Sequence, residues 1–150
     1  MKRIILIGML ITSGFSNAQE NLIYGELGGA GPIVSINYER QFFQESHLNL
    51  RAGLGFYTGW YSGLSAPLGL YYLQDLNKGN YLELGMTYTV LLTGWDDNDT
   101  GGFFLPAIGY RKYSTNRKSF FKITFNPIFF DNDDPFDLLP WGGISFGTRF

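Results

Sequence analysis

Apolar residues alternate with small or polar residues along most of the chain, and clusters of turn-forming residues interrupt this alternation. In the segment HLNLRAGLGFYTG, one face carries leucines, Ala52 and Phe56, while the other carries Asn49, Arg51 and glycines. A period of two is typical of β-strands whose two faces meet different surroundings. The pattern predicts eight strands, at about 22–29, 33–42, 48–58, 64–75, 81–93, 103–113, 119–130 and 141–150.

The connections between these strands alternate in character. One set is compact and polar: QFFQES, DLNKGN and YSTNRKS. The other set is GGAGP, YTGWYSG, TGWDDNDTGG and DNDDPFDLLP, of which the last two are longer and acidic. Short periplasmic turns facing longer external loops are typical of outer-membrane barrels, whose strands need about 9–11 residues to cross the bilayer. The sequence therefore predicts an all-β fold, an eight-stranded antiparallel up-and-down transmembrane β-barrel with both termini in the periplasm.

The polar face of the predicted strands favours a membrane barrel over a soluble one. A face exposed to water normally carries many Lys, Glu and Asp residues, but here it holds mostly Gly, Ser, Thr, Asn and Tyr, with at most about one charge per strand. Small side chains suit the narrow interior of an eight-stranded barrel. The apolar face is then predicted to contact lipid.

The few charges of the polar face cluster near the predicted periplasmic end. Because an unpaired buried charge is costly, we predict an ion-pair network that closes the lumen. An alternative is that several of these side chains reach into the membrane interface. The residues concerned are Glu26, Glu39, Arg51, Glu83, Arg111, Lys122 and Arg149.

The first residues have the composition of a secretory signal. Lys2 and Arg3 form a short positive end, residues 4–11 an apolar run too short to span a bilayer, and residues 16–18 a cleavage site of small residues. We predict a signal peptide at 1–18 and an outer-membrane barrel domain at 19–150. Without Lys2 and Arg3 the chain keeps 9 of its 11 basic residues against 13 acidic ones, a net charge of −4. Nucleic acid is therefore not expected as a partner, and the absence of cysteine excludes a lipid-anchored N-terminus and a disulfide framework.

The ending ISFGTRF resembles the C-terminal signal of outer-membrane β-barrel proteins, with Ile144, Phe146 and Phe150 as its apolar positions. The 19–150 segment also resembles the small eight-stranded outer-membrane proteins of Bacteroidota-type Gram-negative bacteria, in YGELGGAG, SINYER, YLELGMTY and PWGGISFGTRF. The resemblance implies a location in the cell outer membrane, recognition by the barrel-assembly machinery, and contact with outer-membrane lipid and lipopolysaccharide. It implies no catalytic motif and leaves the oligomeric state open.

Catalytic chemistry is not expected. The lipid A deacylases are barrels of similar size that use a His, a Ser and a Glu, and a lipid-modifying enzyme of that kind is one alternative function. The single histidine, His47, lies beside a predicted periplasmic turn, and Asn49 stands where that family has serine. The predicted external half offers hydroxyl groups but no base to activate one. These hydroxyls belong to Tyr57, Ser62, Ser65, Thr87 and Thr89.

Neither a metal nor a cofactor is expected. The acidic loops DDNDTGG and DNDD lack the spaced glycine and distal glutamate of a calcium loop, so solvated loops are favoured over a divalent ion that bridges to lipopolysaccharide phosphates. GELGGAG lacks the lysine and following helix of a phosphate-binding loop, and it predicts a tight external turn. A soluble secreted barrel of the lipocalin kind, binding an apolar ligand, is a further alternative, which carbonate extraction would distinguish.

Overall fold

The chain folds into a closed antiparallel β-barrel in a computed structural model that describes residues 20–42, 47–58, 62–93, 100–129 and 138–150. The strands are β1 (Asn21–Gly28), β2 (Val34–Gln41), β3 (Leu48–Tyr57), β4 (Gly63–Asp75), β5 (Asn80–Thr93), β6 (Thr100–Tyr113), β7 (Ser119–Phe125), β8 (Ile128–Phe129), β9 (Leu138–Leu139) and β10 (Gly142–Arg149). Eight of these strands form the barrel, and β8 and β9 form a separate two-stranded sheet. The predicted eight-stranded up-and-down barrel is confirmed.

The barrel closes where β1 pairs with β10, in a register that sets Leu22 opposite Arg149 and Gly28 opposite Gly143. Every other barrel strand pairs with its neighbours along the chain, with β7 followed directly by β10. We call the end that carries Asn21 and Phe150 the terminal end. β2, β4 and β6 terminate at this end and β3, β5 and β7 begin there, so the other ends of these strands lie at the opposite end.

The predicted strand at 119–130 was too long. β7 ends at Phe125, two residues before Pro127. The backbone N–H of Asn126 still donates to the carbonyl of Trp141 at 2.8 Å, and the Asn126 side chain turns into the barrel. β8 then pairs with β9, which lies within the segment predicted as a loop.

Two groups of predictions fall outside the described residues: the signal peptide at 1–18 and the loop aspartates at 96–99 and 131–137. Within the described ranges there is no helix of sufficient length and hydrophobicity to cross a membrane.

The two faces of the barrel wall have opposite polarity. Inward positions carry mostly small, polar or charged residues together with a few large ones such as Leu22, Leu105 and Phe120, whereas outward positions carry exposed Leu, Ile, Val, Met and aromatic side chains on every barrel strand. Among the described outward positions of the eight barrel strands, the charged ones are Arg40 and Lys112. Both lie one residue from the end of their strand at the terminal end. A soluble protein has the reverse distribution, with its apolar side chains inside.

The interior is filled with side chains at successive levels. Near the terminal end, Leu22, Tyr24, Tyr113 and Phe120 form an apolar cluster, with Tyr81 packed against it. The rings of this cluster meet at centroid distances of 5.5–5.6 Å. A layer of ionised side chains follows.

At the opposite end the β1–β2 connection folds over the interior. Gly28 and Gly29 have φ angles of 71° and 67°, which glycine adopts without strain, and Ala30 is fully buried. Thr89 Oγ1 donates to the carbonyl of Ala30 at 2.8 Å, and Trp141 Nε1 donates to the carbonyl of Gly29 at 2.9 Å. The predicted tight turn thus also covers the lumen.

Candidate functional site: the ion-pair network inside the barrel

Six ionisable side chains meet in the middle of the barrel. They lie on inward positions of six strands, β1, β2, β3, β5, β6 and β7. Arg51 is 3% exposed, and the other five are at most 1% exposed. The six are Glu26, Glu39, Arg51, Glu83, Arg111 and Lys122. With three acids and three bases, the group is balanced in charge.

Arg51 forms the centre of one half of this network. Its Nη2 forms an ion pair with Glu26 Oε2. Nη1 donates to Tyr71 OH at 3.2 Å and Nε donates to Asn37 Oδ1 at 3.0 Å. Ser145 Oγ donates to the other carboxylate oxygen of Glu26 at 3.3 Å. The charges of both partners are therefore compensated, as burial requires.

Arg111 forms the centre of the other half and bridges two acids. Its Nη2 donates to Glu39 Oε2 at 2.9 Å, and its Nη1 forms an ion pair with Glu39 Oε1 at 2.8 Å. Nη2 also lies 2.5 Å from Glu83 Oε2. Lys122 Nζ binds the second oxygen of Glu83 at 3.0 Å. Because these residues lie on β2, β5, β6 and β7, the ion pairs cross the lumen.

Tyr24 connects the two halves. Its hydroxyl donates to Glu39 Oε2 and accepts from Lys122 Nζ, each at 3.3 Å. The centroid of its ring lies 4.6 Å from Lys122 Nζ and 5.5 Å from Arg51 Cζ, within the range of cation–π attraction. The ion pairs thus form two groups, one around Arg51 and one around Arg111, and the Tyr24 ring contacts both.

Inward glycines make room for the large side chains. A Cβ atom at Gly85 would overlap the ring of Tyr71, and one at Gly69 would lie 2.7 Å from Tyr71 Cε2. The Tyr71 ring therefore packs against Gly69 of β4 and Gly85 of β5. Its hydroxyl bonds Arg51 Nη1 and Thr87 Oγ1, the latter at 2.5 Å.

Replacing Gly85 by alanine is expected to destabilise the barrel by about 1–3 kcal/mol, because the added methyl group overpacks the interior against Tyr71. Urea unfolding of the refolded barrel measures the change. Gly25→Ala is the matched control, since Gly25 faces outward and a Cβ there meets nothing within 4 Å. Equal effects of the two substitutions would contradict this explanation of the interior glycines.

Arg149 does not join the network, contrary to the sequence-based prediction. Its backbone pairs with Leu22, as the backbone of Glu39 does on the other side of β1, so the backbone level alone does not exclude it from the ion-pair layer. Arg149 Nη1 instead binds Glu20 Oε1 at 2.8 Å, and the two side chains are 31% and 40% exposed. Glu20 was not among the predicted residues.

Sequence reasoning also missed the neutral members of the network. Tyr24, Asn37 and Tyr71 supply hydrogen bonds to the ionised groups. The alternation of the sequence already assigned all three to the inward face, but the prediction selected charged residues alone. Selecting every inward residue that can form a hydrogen bond would have included them.

The arrangement suits a structural role. Each carboxylate is held by at least one cation, and the network has no described residue that pairs a nucleophile with a base. His47 is exposed at the terminal end, where its ring packs on Tyr72 at 5.6 Å.

Three of the five candidate hydroxyls of the opposite half have hydrogen-bond partners, whereas the buried Ser65 Oγ has none among the described residues. Thr87 bonds Tyr71 and Thr89 bonds the Ala30 carbonyl. Ser62 Oγ lies 2.8 Å from Thr58 Oγ1.

The three apolar residues of the predicted C-terminal signal all face outward. Ile144 and Phe146 are exposed on β10, and Phe150 follows the strand with 69% of its surface exposed. Ile144 packs beside Ile123 and Phe146 beside Phe121 in the register of β10 with β7. Their recognition by an assembly machinery stays a prediction.

No protein-family model matches the chain, and no curated protein matches it. Among solved structures, the chain is similar to the N-terminal β-barrel domain of Pseudomonas aeruginosa OprF, with a TM-score of 0.53 and 17% sequence identity. The similarity covers 90% of this chain and 98% of that one. At this identity the likeness concerns the fold.

Proposed function

We propose that the protein is an integral outer-membrane barrel with a closed interior, and that it serves a structural or surface-interaction role without catalysing a reaction. The observation that carries the proposal is the polarity of the wall: ionised side chains face the interior and large apolar side chains face outward. Contact of that apolar surface with water has a high free-energy cost, whereas contact with lipid does not.

The orientation is proposed from the connections of the terminal end, because those at 76–79 and 114–118 are short turns, as at the periplasmic end of outer-membrane barrels. Arg40 and Lys112 lie at the terminal end, where an outward cation costs little because it reaches the lipid headgroups. In the proposed orientation this end faces the periplasm and the loops of the opposite end face outside. Those loops would meet lipopolysaccharide and other surface partners.

The alternatives receive less support. A soluble barrel of the lipocalin kind needs an apolar interior for its ligand, but six ionised groups occupy the middle of this one. A lipid-modifying enzyme needs a hydroxyl activated by a base. The described contacts of Thr87, Thr89 and Ser62 are with other groups, and the buried Ser65 Oγ has no hydrogen bond to a base among the described residues. The ion-pair network and the buried Ala30 turn favour a barrel that conducts no ions.

Two measurements test the proposal. The full-length protein expressed in a Gram-negative host is expected to stay in the membrane fraction after carbonate extraction and to need detergent for release. The purified protein in a planar bilayer is expected to show no stable conductance, because side chains fill the lumen at several levels. Release by carbonate would refute the membrane location, and reproducible single-channel steps would refute the closed interior.

A further inference from the structure

A polar cavity of about 170 Å³ opens inside the barrel at its terminal end. Two of its eight lining residues are acids and none is Lys or Arg, and all eight belong to the described part of the chain. We call it the mouth cavity, and the residues that matter below are Glu20, Asn49, Leu73, Asp75, Tyr81 and Tyr113. A concave site that carries carboxylates and no basic side chain attracts cations.

The depth of the mouth cavity presents an amide without a partner. Asn49 lies at an inward position of β3, two residues from Arg51 toward the terminal end, and it is 3% exposed. Its backbone pairs with Gln41 and Tyr71. Its side-chain amide borders the cavity and forms no hydrogen bond within the described ranges of the chain. A buried amide left without a hydrogen bond is costly, so this side chain calls for an occupant that bonds to it.

The two acids lie at the rim, and each has one carboxylate oxygen that is not used. Glu20 Oε1 binds Arg149 Nη1 at 2.8 Å, and Asp75 Oδ1 accepts from the backbone N–H of Asn77 at 2.6 Å. The other oxygen of each acid accepts no hydrogen bond from a described residue, and Asp75 has no described cation as its partner. Both side chains are exposed to solvent in part. A cation bound at the rim would therefore keep some of its hydration.

The remaining walls are aromatic and apolar. The rings of Tyr81 and Tyr113 meet edge to face, with their centroids 5.6 Å apart, and Leu73 adds an apolar side chain. Aromatic rings attract ammonium groups, whereas Leu73 suits a short alkyl chain. Arg111 Nη1 donates to the hydroxyl of Tyr113 from the interior at 3.3 Å. Because this cation lies behind the cavity, a positive charge is favoured at the rim and a neutral polar group is favoured in the depth.

The size of the mouth cavity limits the occupant. At about 30 Å³ for each water molecule, its volume corresponds to about five waters, and thus to a chain of about five non-hydrogen atoms. We propose that the mouth cavity binds a small primary ammonium compound, with its ammonium group at the carboxylates of Asp75 and Glu20 and a hydrogen-bonding end group at Asn49. This inference goes beyond the proposed function, because a structural barrel needs no ligand at this end. A lysine side chain of another polypeptide fits less well, since it would enter with its ammonium group first and place the charge beside Arg111.

The site is tested by NMR titration of the isotope-labelled barrel in detergent micelles with 3-aminopropan-1-ol at neutral pH. The side-chain NH₂ signals of Asn49, assigned by their absence in Asn49→Leu, are expected to shift until the site is saturated. Propane-1,3-diol has the same number of non-hydrogen atoms but no charge, and we expect it to bind at least about tenfold more weakly, because hydrogen bonds to charged groups are the stronger ones.

Two variants locate the site. Asp75→Asn removes the rim charge and is expected to raise the dissociation constant of 3-aminopropan-1-ol about tenfold, and Asn49→Leu about fivefold, with the backbone signals of Tyr81 and Tyr113 as the readout. Gln74→Arg is the matched control, since it changes the net charge by the same amount at the neighbouring outward position, outside the mouth cavity. Its dissociation constant is expected to stay within about a factor of two of the wild type.

Equal affinities for the amine and the diol would overturn the proposal, because the occupant would then need no charge. Unchanged Asn49 signals throughout the titration would assign the cavity to water and overturn it as well. Equal losses in Asp75→Asn and Gln74→Arg would show an effect of net charge without a site. If Asn49→Leu fails to fold, as judged by heat-modifiable gel migration, Asp75→Asn against Gln74→Arg decides. Tighter binding of Nα-acetyllysine amide than of 3-aminopropan-1-ol would assign the cavity to a lysine side chain and overturn the free amine.

Discussion

Replacing Arg111 by glutamine is expected to lower the free energy of unfolding by about 3–5 kcal/mol, the usual cost of removing one partner from a buried ion pair. Arg111 neutralises Glu39 and Glu83, and all three side chains are fully buried. Lys122 continues to bind Glu83 at 3.0 Å, but among its described contacts Glu39 retains the weaker hydrogen bond from Tyr24. Urea unfolding of the barrel in lipid vesicles, extrapolated linearly to water, measures the loss.

Arg149→Gln is the control for the charge change itself. Its ion pair with Glu20 is about one-third exposed, and pairs of that kind contribute about 0–1 kcal/mol. The double variant Glu39→Gln with Arg111→Gln removes one acid and one base together, and it is expected to recover more than half of the loss, because no uncompensated carboxylate remains. Similar losses in Arg111→Gln and Arg149→Gln would contradict a stabilising role for the network.

The strands and their inward faces are predictable because both depend on local sequence. The period of two assigns each of Arg51, Glu83 and Lys122 to the polar face of its own strand, and this assignment does not depend on the neighbouring strands. The end of β7 at Phe125 was not predicted. Pro127 alone would not have placed it, because Pro67 and Pro106 lie within β4 and β6, whose ladders continue past them.

The partners within the network are not predictable from local sequence. Arg111 and Glu39 are 72 positions apart on strands that are not adjacent, so their contact depends on how closure staggers the strands around the barrel. Arg149 and Glu39 both pair with Leu22 in the register of the sheet, yet Glu39 binds Arg111 inside the barrel and Arg149 binds Glu20. The direction that each side chain takes from the same level therefore decides its partner, and the strand pattern does not give that direction.

Substitution of Ile123 by arginine tests which solvent touches the outer wall. Ile123 faces outward beside Tyr110 and Ile144, with 48% of its surface exposed. It lies four residues from the terminal end of β7, which corresponds to about 10 Å along the normal of a bilayer whose apolar band is about 25 Å thick. An arginine at that depth is expected to destabilise the barrel by about 2–4 kcal/mol in lipid vesicles.

The matched control is Gln74→Arg, at an exposed outward position one residue from the end of β4. Near the interface an arginine costs about 0–1 kcal/mol, so the two variants should differ clearly by urea unfolding in the same vesicles. If water surrounded the wall, both substitutions would fall within about 0.5 kcal/mol of the wild type, as ordinary surface changes do. Equal small effects would therefore refute the membrane location, and they would do so without depending on the interior ion pairs, because neither Ile123 nor Gln74 contacts the lumen.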